Sequence, residues 1–164
     1  RIAWTLCIIS SSISCQTVTQ LGGLKFMAYD DQNIFAKILR GEAPAFKVYE
    51  DEFSLAFMDV MPQVDGHTLV IPKDATESLH QADPGILART IVNVQKVADA
   101  VKEAFDSPGI MIAQLNGQAA GQTVFHLHFH VLPRKDGLDA SMHAREMADF
   151  AVLEDHAARI RAVI

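Results

Sequence analysis

Cysteine and tryptophan are missing from most of the chain. Both cysteines, Cys7 and Cys15, and the only tryptophan, Trp4, lie in the first 26 residues, and none occurs from Met27 onward. A disulfide framework and a thiolate zinc site both need cysteine sulfur, so neither can stabilise residues 27–164. The core of that part must form by apolar packing, for which the 49% hydrophobic content of the chain suffices.

Positive charge is also scarce. The 164 residues include 14 Lys and Arg against 20 Asp and Glu, a formal net charge of −6, and every acidic residue follows residue 26. General binding of nucleic acid needs a basic surface that displaces counterions from phosphates, so this charge disfavours that class of partner. A single bound nucleotide needs only a few local donors and is compatible with the composition.

Long apolar runs are few. Residues 2–9 form an apolar run, followed by a serine-rich stretch and Cys15, which resembles a signal peptide or lipoprotein start. The run is shorter than the roughly 20 apolar residues of a membrane span, and Arg1 is its only positive charge. We therefore expect residues 1–26 to be a leader or upstream extension outside the fold. Residues 27–164 are expected to be one domain, in the cytoplasm and without a membrane partner.

The pattern along residues 27–164 predicts both helices and strands. Asn33 and Gly41 bracket a short helix as its cap and stop. Asp83 and Pro84 begin a long helix in which apolar residues recur every three or four positions. A final amphipathic helix is predicted over residues 147–163, and strands over 46–49, 53–59, 67–71, 110–115 and around the histidines. Consecutive strands with short turns predict an α+β fold, an antiparallel meander of about five strands packed with one long helix and a short N-terminal helix.

Three of the seven histidines alternate with apolar residues, at His126, His128 and His130. Alternation with period two is typical of a strand. We expect the three imidazoles on one open face, about 6.6 Å apart, with Leu127 and Phe129 turned toward the core. Protonated imidazoles repel one another at that spacing, so mutual repulsion should hold at least one of them neutral near pH 7.

The residues alone leave three interpretations of this cluster open. The histidines could form a solvated polar face. They could bind zinc or iron, with His67 as a further ligand, although no Asp or Glu lies between Asp106 and Asp136 to complete such a site. They could also supply a nucleophile and an acid or base at a phosphoryl or acyl centre.

The segment over residues 116–134, NGQAAGQTVFHLHFHVLPR, resembles the signature of the histidine triad (HIT) superfamily of nucleotide hydrolases and transferases. Two further blocks, within residues 33–44 and 55–73, resemble the same family in the same order. The resemblance thus covers residues 33–134. Residues 1–26 lie outside it, and the C-terminal helix lies in the variable part of the family.

The resemblance implies roles for four histidines. His128 would be the nucleophile that attacks the α-phosphorus of a nucleotide and becomes transiently nucleotidylated. His126 would orient it, and His130 would contact the phosphate and help to protonate the leaving group. His67 would relay protons from behind the phosphate. The other histidines, His80, His143 and His156, match no catalytic position and are expected at the surface.

The resemblance also implies a nucleotide site. Asp59 would accept both ribose hydroxyls, and Asn116, Gln122 and Thr123 would contact the phosphate. The base would lie between four apolar residues, Phe35, Ile38, Phe57 and Val60. Structural alternatives exist for most of these residues: a turn for Asp59, bonds to nearby backbone for the two amides, and core packing for the apolar four.

Two departures refine the expected activity. The transferase branch carries Gln where this chain has His130, so the resemblance favours hydrolysis. Many bacterial relatives carry zinc-binding cysteines where residues 35–39 read FAKIL, so we expect no metal and no cofactor. The leading hypothesis is a homodimeric hydrolase of purine nucleoside 5′-phosphoramidates or similar linkages. The alternatives are a dinucleoside polyphosphate hydrolase, a non-catalytic nucleotide-binding module and a metal-dependent hydrolase.

Overall fold

The computed structural model describes residues 29–135 and 146–164. These ranges contain α1 (Ile34–Leu39), β1 (Lys47–Glu50), β2 (Ser54–Met58), β3 (Thr68–Pro72), α2 (Pro84–Ala104), β4 (Gly109–Ala113), β5 (Phe129–Arg134) and α3 (Phe150–Arg161). A single 3₁₀ turn over Gln118–Ala120 precedes the histidines. The expected leader over residues 1–26 lies outside the described residues.

The five strands form one antiparallel sheet in the order β1-β2-β3-β5-β4. The α+β class and the five-stranded antiparallel sheet are confirmed. The strand order follows a meander only as far as β3, because α2 connects β3 to β4 and returns the chain in the same direction. β3 and β4 therefore cannot pair antiparallel, and β5 lies between them, antiparallel to both.

The two faces of the sheet are covered by different helices. Along β2, Ala56 and Met58 point to one face and Leu55 and Phe57 to the other, as alternation in a strand requires. The larger core lies on the first face, where α2 and α3 bury Val94, Val97, Val101, Leu153, Ala157 and Ile160. The second face is covered by α1, and the candidate site opens beside it.

Each helix begins at the side chain that caps it. The amide oxygen of Asn33 accepts from the Ala36 N–H at 2.9 Å, and Asp83 accepts from the first turn of α2, as predicted. The C-terminal helix is shorter than predicted, because Asp149 caps it and the helix begins at Phe150. No described helix is apolar over a stretch long enough to cross a bilayer.

Candidate active site

The alternating histidines lie where a bent segment enters the sheet. β5 begins at Phe129, so His130 is on the strand, whereas His126 and His128 precede it. The prediction of one strand through all three histidines is therefore wrong in extent. The alternation is confirmed, because Leu127 and Phe129 both point into the larger core.

The prediction that the three histidines lie on an open face is also wrong. His126, His128 and His130 are 0%, 2% and 0% exposed. The ring of Tyr29 lies 5.6 Å from that of His126, and the ring of Phe35 lies 5.2 Å from that of His128. The covering groups come from a segment about 90 residues earlier in the chain, which a local period of two cannot reveal.

His126 is a neutral imidazole held at both ring nitrogens. Its Nε2 lies 2.9 Å from the carbonyl oxygen of Pro72, and its Nδ1 is hydrogen-bonded to the hydroxyl of Tyr29. A carbonyl only accepts, so the proton is assigned to Nε2. The pKa of His126 is lowered from 6.5 to about 4, mainly because the ring is buried and to a smaller extent because His128 repels a second positive charge. One neutral imidazole was expected, but its main cause is burial and not mutual repulsion.

His128 is oriented by the backbone two residues before it. Its Nδ1 lies 2.6 Å from the carbonyl oxygen of His126. Since that oxygen can only accept, Nδ1 carries the proton and the lone pair of a neutral His128 is on Nε2. The side chain lines the cleft described below, and its ring centroid lies 5.0 Å from that of His130.

His130 begins a row of three titratable groups. Its Nδ1 lies 2.9 Å from Nε2 of His67, and Nδ1 of His67 lies 3.5 Å from a carboxylate oxygen of Asp59. The backbone N–H of Gln63 also donates to Nδ1 of His67, at 3.2 Å. His67 is completely buried behind His130. Because Nδ1 of His67 accepts from Gln63, the proton of a neutral His67 is assigned to Nε2, which donates to Nδ1 of His130.

The loop between β2 and β3 places Asp59 and His67 together. The N–H of Asp59 donates to the carbonyl of His67 at 3.0 Å, and the N–H of Met61 donates to the Asp59 carboxylate at 2.8 Å. Gly66 precedes His67 with a φ of +81°, and a Cβ at this position would lie 2.6 Å from the Phe105 ring. Glycine is thus required for both conformation and space at the turn that directs His67 inward.

A cleft of about 560 Å³ opens between α1, the loop after β2 and the histidines. Its polar side chains among the described residues are Asp59, Thr123, His128 and His130, and no described lysine or arginine lines it. The rest of the wall is mainly apolar. All four residues expected around a base, Phe35, Ile38, Phe57 and Val60, are in this wall. The rings of Phe35 and Phe57 meet edge to face at 5.4 Å.

The expected phosphate-binding loop divides into two kinds of residue. Thr123 lines the cleft and is exposed. Gln122 is buried: its amide hydrogens go to the carbonyls of Glu77 and Val124, and its oxygen accepts from Gly117. Because both side-chain donors of Gln122 go to backbone carbonyls, this residue braces the loop, and its contact with a phosphate stays a prediction.

Asn116 is likewise engaged away from the cleft. Its amide oxygen accepts from the backbone N–H of Leu79 at 2.9 Å, and its amide nitrogen donates to the side chain of Gln114 at 2.6 Å. Asn116 does not line the cleft. The structural alternative, an amide that bonds to nearby groups, describes both Asn116 and Gln122.

Several residues of the site escaped the sequence analysis. Tyr29 has no distinguishing pattern, since it precedes the first predicted helix as an isolated aromatic residue. Met147 and Phe150 line the far end of the cleft, where Phe150 packs edge to face against Phe46 at 5.4 Å. The N–H of Ala148 donates to the carbonyl of Val60 at 3.0 Å and holds this segment against the loop. Phe150 was expected on the buried face of α3, yet it is 55% exposed.

The other histidines lie away from the cleft. His80 is exposed, as expected. The expectation of an exposed His156 is wrong: this residue is buried against the ring of Phe105, with centroids 5.0 Å apart, because α3 packs on the end of α2. His143 lies outside the described residues.

Three residues of the site could hold a divalent cation. One ligand atom from each of Asp59, His67 and His130 lies within 4.8 Å of the others, and all three residues are buried. Two imidazoles and a carboxylate are a donor set that zinc accepts. Asp59 is distant from the triad in the sequence, so the residues near the histidines did not indicate that a carboxylate joins this cluster. The expectation of no bound metal stays a prediction.

Comparison with known proteins places these features in a family. Residues 40–137 match the model of the HIT domain. A HIT-like protein of Borreliella burgdorferi is 48% identical over 103 residues, which cover 62% of this chain and 74% of the relative. The adenosine 5′-monophosphoramidase of Saccharomyces cerevisiae is 38% identical over 103 residues, which cover 63% of each chain.

The fold agrees with a solved relative. The crystal structure of a HIT-like protein from Bartonella henselae is 48% identical, superposes with a TM-score of 0.78, and matches 84% of this chain and 100% of that one. The family match spans more than half of the chain and includes every strand from β1 through β5. The chain therefore belongs to the HIT domain family.

Proposed function

We propose that the protein hydrolyses nucleotides by attack of His128 on the α-phosphate. One observation carries the proposal: the carbonyl of His126, 2.6 Å from Nδ1 of His128, leaves the lone pair on Nε2 of a residue that lines the cleft. A neutral imidazole that carries its lone pair on the nitrogen facing the substrate is a competent nucleophile, and when protonated it is a good leaving group from phosphorus.

The reaction then proceeds in two displacements. Nε2 of His128 forms a bond to phosphorus as the bond to the leaving group breaks, and His130 delivers a proton to that group. His67, behind His130, supports this proton transfer because its Nε2–H donates to Nδ1 of His130 at 2.9 Å and leaves Nε2 of His130 to carry the proton for the leaving group. Water next attacks phosphorus and gives its proton to His130, the bond from phosphorus to Nε2 of His128 breaks, and the nucleoside monophosphate leaves with the lone pair returned to Nε2.

The charge in the cleft favours a substrate with a single phosphate. No described lysine or arginine lines the cleft. A dinucleoside polyphosphate would bring several negative charges with no cationic partner there. A nucleoside 5′-phosphoramidate brings fewer, and the yeast relative is named for that substrate.

The nucleoside half of the cleft suits a purine ribonucleoside. The Asp59 carboxylate only accepts, which matches the two hydroxyls of a ribose, and one of its oxygens already holds the Met61 N–H in place. The base would lie among Phe35, Ile38, Phe57 and Val60, and Thr123 would donate its hydroxyl to the phosphate.

A direct test is to trap the covalent intermediate. The protein is mixed with an α-³²P-labelled adenosine phosphoramidate, quenched in base because phosphohistidine is labile to acid, and mapped by proteolysis. We expect label on His128 and none in the His128→Ala variant, while a variant of the exposed His80 labels normally. Turnover without any labelled histidine would refute the covalent mechanism, and tight binding without turnover would indicate a non-catalytic module.

A metal-dependent hydrolase is a second candidate, favoured by the Asp59, His67 and His130 cluster. In that case a cation bound by these three residues, and not the histidine side chains alone, would stabilise the negative charge that develops on the phosphate. The labelling experiment is therefore repeated after exhaustive chelation. Unchanged turnover supports histidine catalysis, whereas loss of turnover that is restored by zinc supports the metal site.

We further propose that the protein forms a homodimer. β4 lies at the edge of the sheet with one neighbour, β5, and its Ile112 is 42% exposed. An edge strand with an exposed apolar side chain is a surface that a second chain can cover. Sedimentation velocity of the full chain and of Ile112→Glu tests this, since the substitution should yield monomer. The cytoplasmic location expected from the sequence stays a prediction.

A further inference from the structure

Tyr29 joins the segment before α1 to the first histidine. Its hydroxyl is hydrogen-bonded to Nδ1 of His126, and the side-chain N–H of Asn33 donates to the same hydroxyl oxygen at 2.9 Å. Asn33 is itself held in place, because its amide oxygen caps α1 at Ala36. Tyr29 is not among the residues that line the cleft.

The direction of each hydrogen bond from Asn33 through Tyr29 and His126 to Pro72 follows from the groups at its two ends. Pro72 offers only a carbonyl, so Nε2 of His126 donates and Nδ1 must accept. Tyr29 is then the donor to Nδ1, while its oxygen accepts from Asn33. Burial raises the pKa of Tyr29, which keeps the phenol protonated and able to donate.

The residue that carries this ring also contacts the proposed nucleophile through its backbone. His126 supplies the backbone carbonyl that holds the Nδ1–H of His128 at 2.6 Å. With its side chain anchored by Tyr29 on one nitrogen and Pro72 on the other, the residue has little freedom to rotate its peptide group. We propose that Tyr29 is a positioning residue, which locks His126 so that its carbonyl orients His128 for attack. This inference rests on the proposed role of His128.

The principal variant is Tyr29→Phe, which keeps the ring and removes the hydroxyl. We expect kcat to fall about tenfold while KM changes by less than about twofold, because orientation of the nucleophile is lost and the cleft wall is retained. Tyr49→Phe is the matched control: the other tyrosine is also half-buried, but it packs under Lys96, and its variant should retain full kcat.

A second readout does not depend on turnover. In histidine ¹⁵N NMR spectra of the full chain, we expect wild-type His126 to show a protonated Nε2 and a hydrogen-bonded Nδ1. In Tyr29→Phe, the Nδ1 signal of His126 should move toward that of an unbonded imine nitrogen. The ring nitrogens of His128 should shift with it. If wild type proves inactive while these shifts occur, the proposed function fails but the positioning of His128 by Tyr29 stands.

Asn33→Ser provides a second variant that retains the helix cap. Serine is an effective N-cap, but its short hydroxyl does not extend to Tyr29. We expect the same changes in kcat and in the His128 signals as in Tyr29→Phe, at smaller amplitude. If both variants leave kcat and the His128 signals at wild-type values, even with a lower melting temperature, Tyr29 has only a structural role and the proposal is overturned.

Discussion

The two ends of the cleft are built on different principles. At the histidine end, His126, His128 and His130 are buried, and each ring is held by a hydrogen bond of 2.9 Å or less. At the apolar end, Met147 and Phe150 are 60% and 55% exposed and offer only apolar contact. Hydrogen bonds depend steeply on geometry, whereas apolar contact does not. Substitutions should therefore cause abrupt loss at the histidine end and graded loss at the apolar end.

The largest effect is expected for His128→Ala. Removing the nucleophile should lower kcat by about a thousandfold or more, as loss of a covalent catalyst commonly does. Steady-state hydrolysis of an adenosine phosphoramidate measures it, with a variant of the exposed His80 as control. Activity of His128→Ala within tenfold of wild type would show that substitutions at the histidine end do not cause the abrupt loss expected there.

The next effect is on stability and concerns His126. Its pKa is about 4 in the folded protein against 6.5 as the ordinary value, so the unfolded chain binds more protons between these two values. Stability should therefore decrease as pH falls from about 6.5 toward 4, with a limit of about 3 kcal/mol from this residue. Urea unfolding at a series of pH values measures the slope.

His126→Gln is the control for this pH dependence. The variant should be less stable than wild type at pH 7, because the contacts of the ring with Tyr29 and Pro72 change. Its stability should also vary less between pH 6.5 and 4 than that of wild type. An unchanged slope would show that other groups cause the pH dependence.

Asp59→Asn tests the group that lies between the two ends. Loss of an acceptor for the ribose should lower kcat/KM by about tenfold for a ribonucleotide substrate. The loss should be much smaller for the 2′,3′-dideoxy substrate, which lacks the hydroxyls. An equal loss for both substrates would show that Asp59 acts through His67, 3.5 Å away, and not through the ribose.

The smallest effect is expected for Phe150→Ala. Removal of a half-exposed ring that packs on Phe46 should raise KM about twofold to fivefold and leave kcat unchanged. Val152→Ala is the control, because Val152 is 44% exposed on the same helix but does not line the cleft. A change in kcat as large as that of Tyr29→Phe would show that the apolar end also positions the nucleophile.

Local patterns predicted the elements well. The capping residues Asn33 and Asp83, the period of α2 and the alternation around His128 all depend on neighbours within a few positions, and the structure agrees with each. The strand order was predicted less well, since β5 lies between β3 and β4. Which strands pair is decided by the path of the connecting helix, and no local pattern encodes that path.

Side-chain roles in the loop before the triad could not be predicted from residue type. Asn116 and Gln122 have amide donors of the kind that a phosphate needs, but Asn116 donates to the side chain of Gln114, and Gln122 donates to the carbonyls of Glu77 and Val124. An amide bonds to whichever partner the fold brings within about 3 Å. The identity of that partner is a property of the tertiary structure.

By itself, the sequence determined that the chain has an α+β fold, that three histidines alternate with core residues, and that the family motif surrounds them. Only the tertiary structure decided that the histidines are buried, that Tyr29 and His67 hold two of them, and that Asp59 lies at the end of their row. The reason is physical: periodicity reports which way neighbouring side chains point, whereas burial and proton position depend on groups brought together from distant segments.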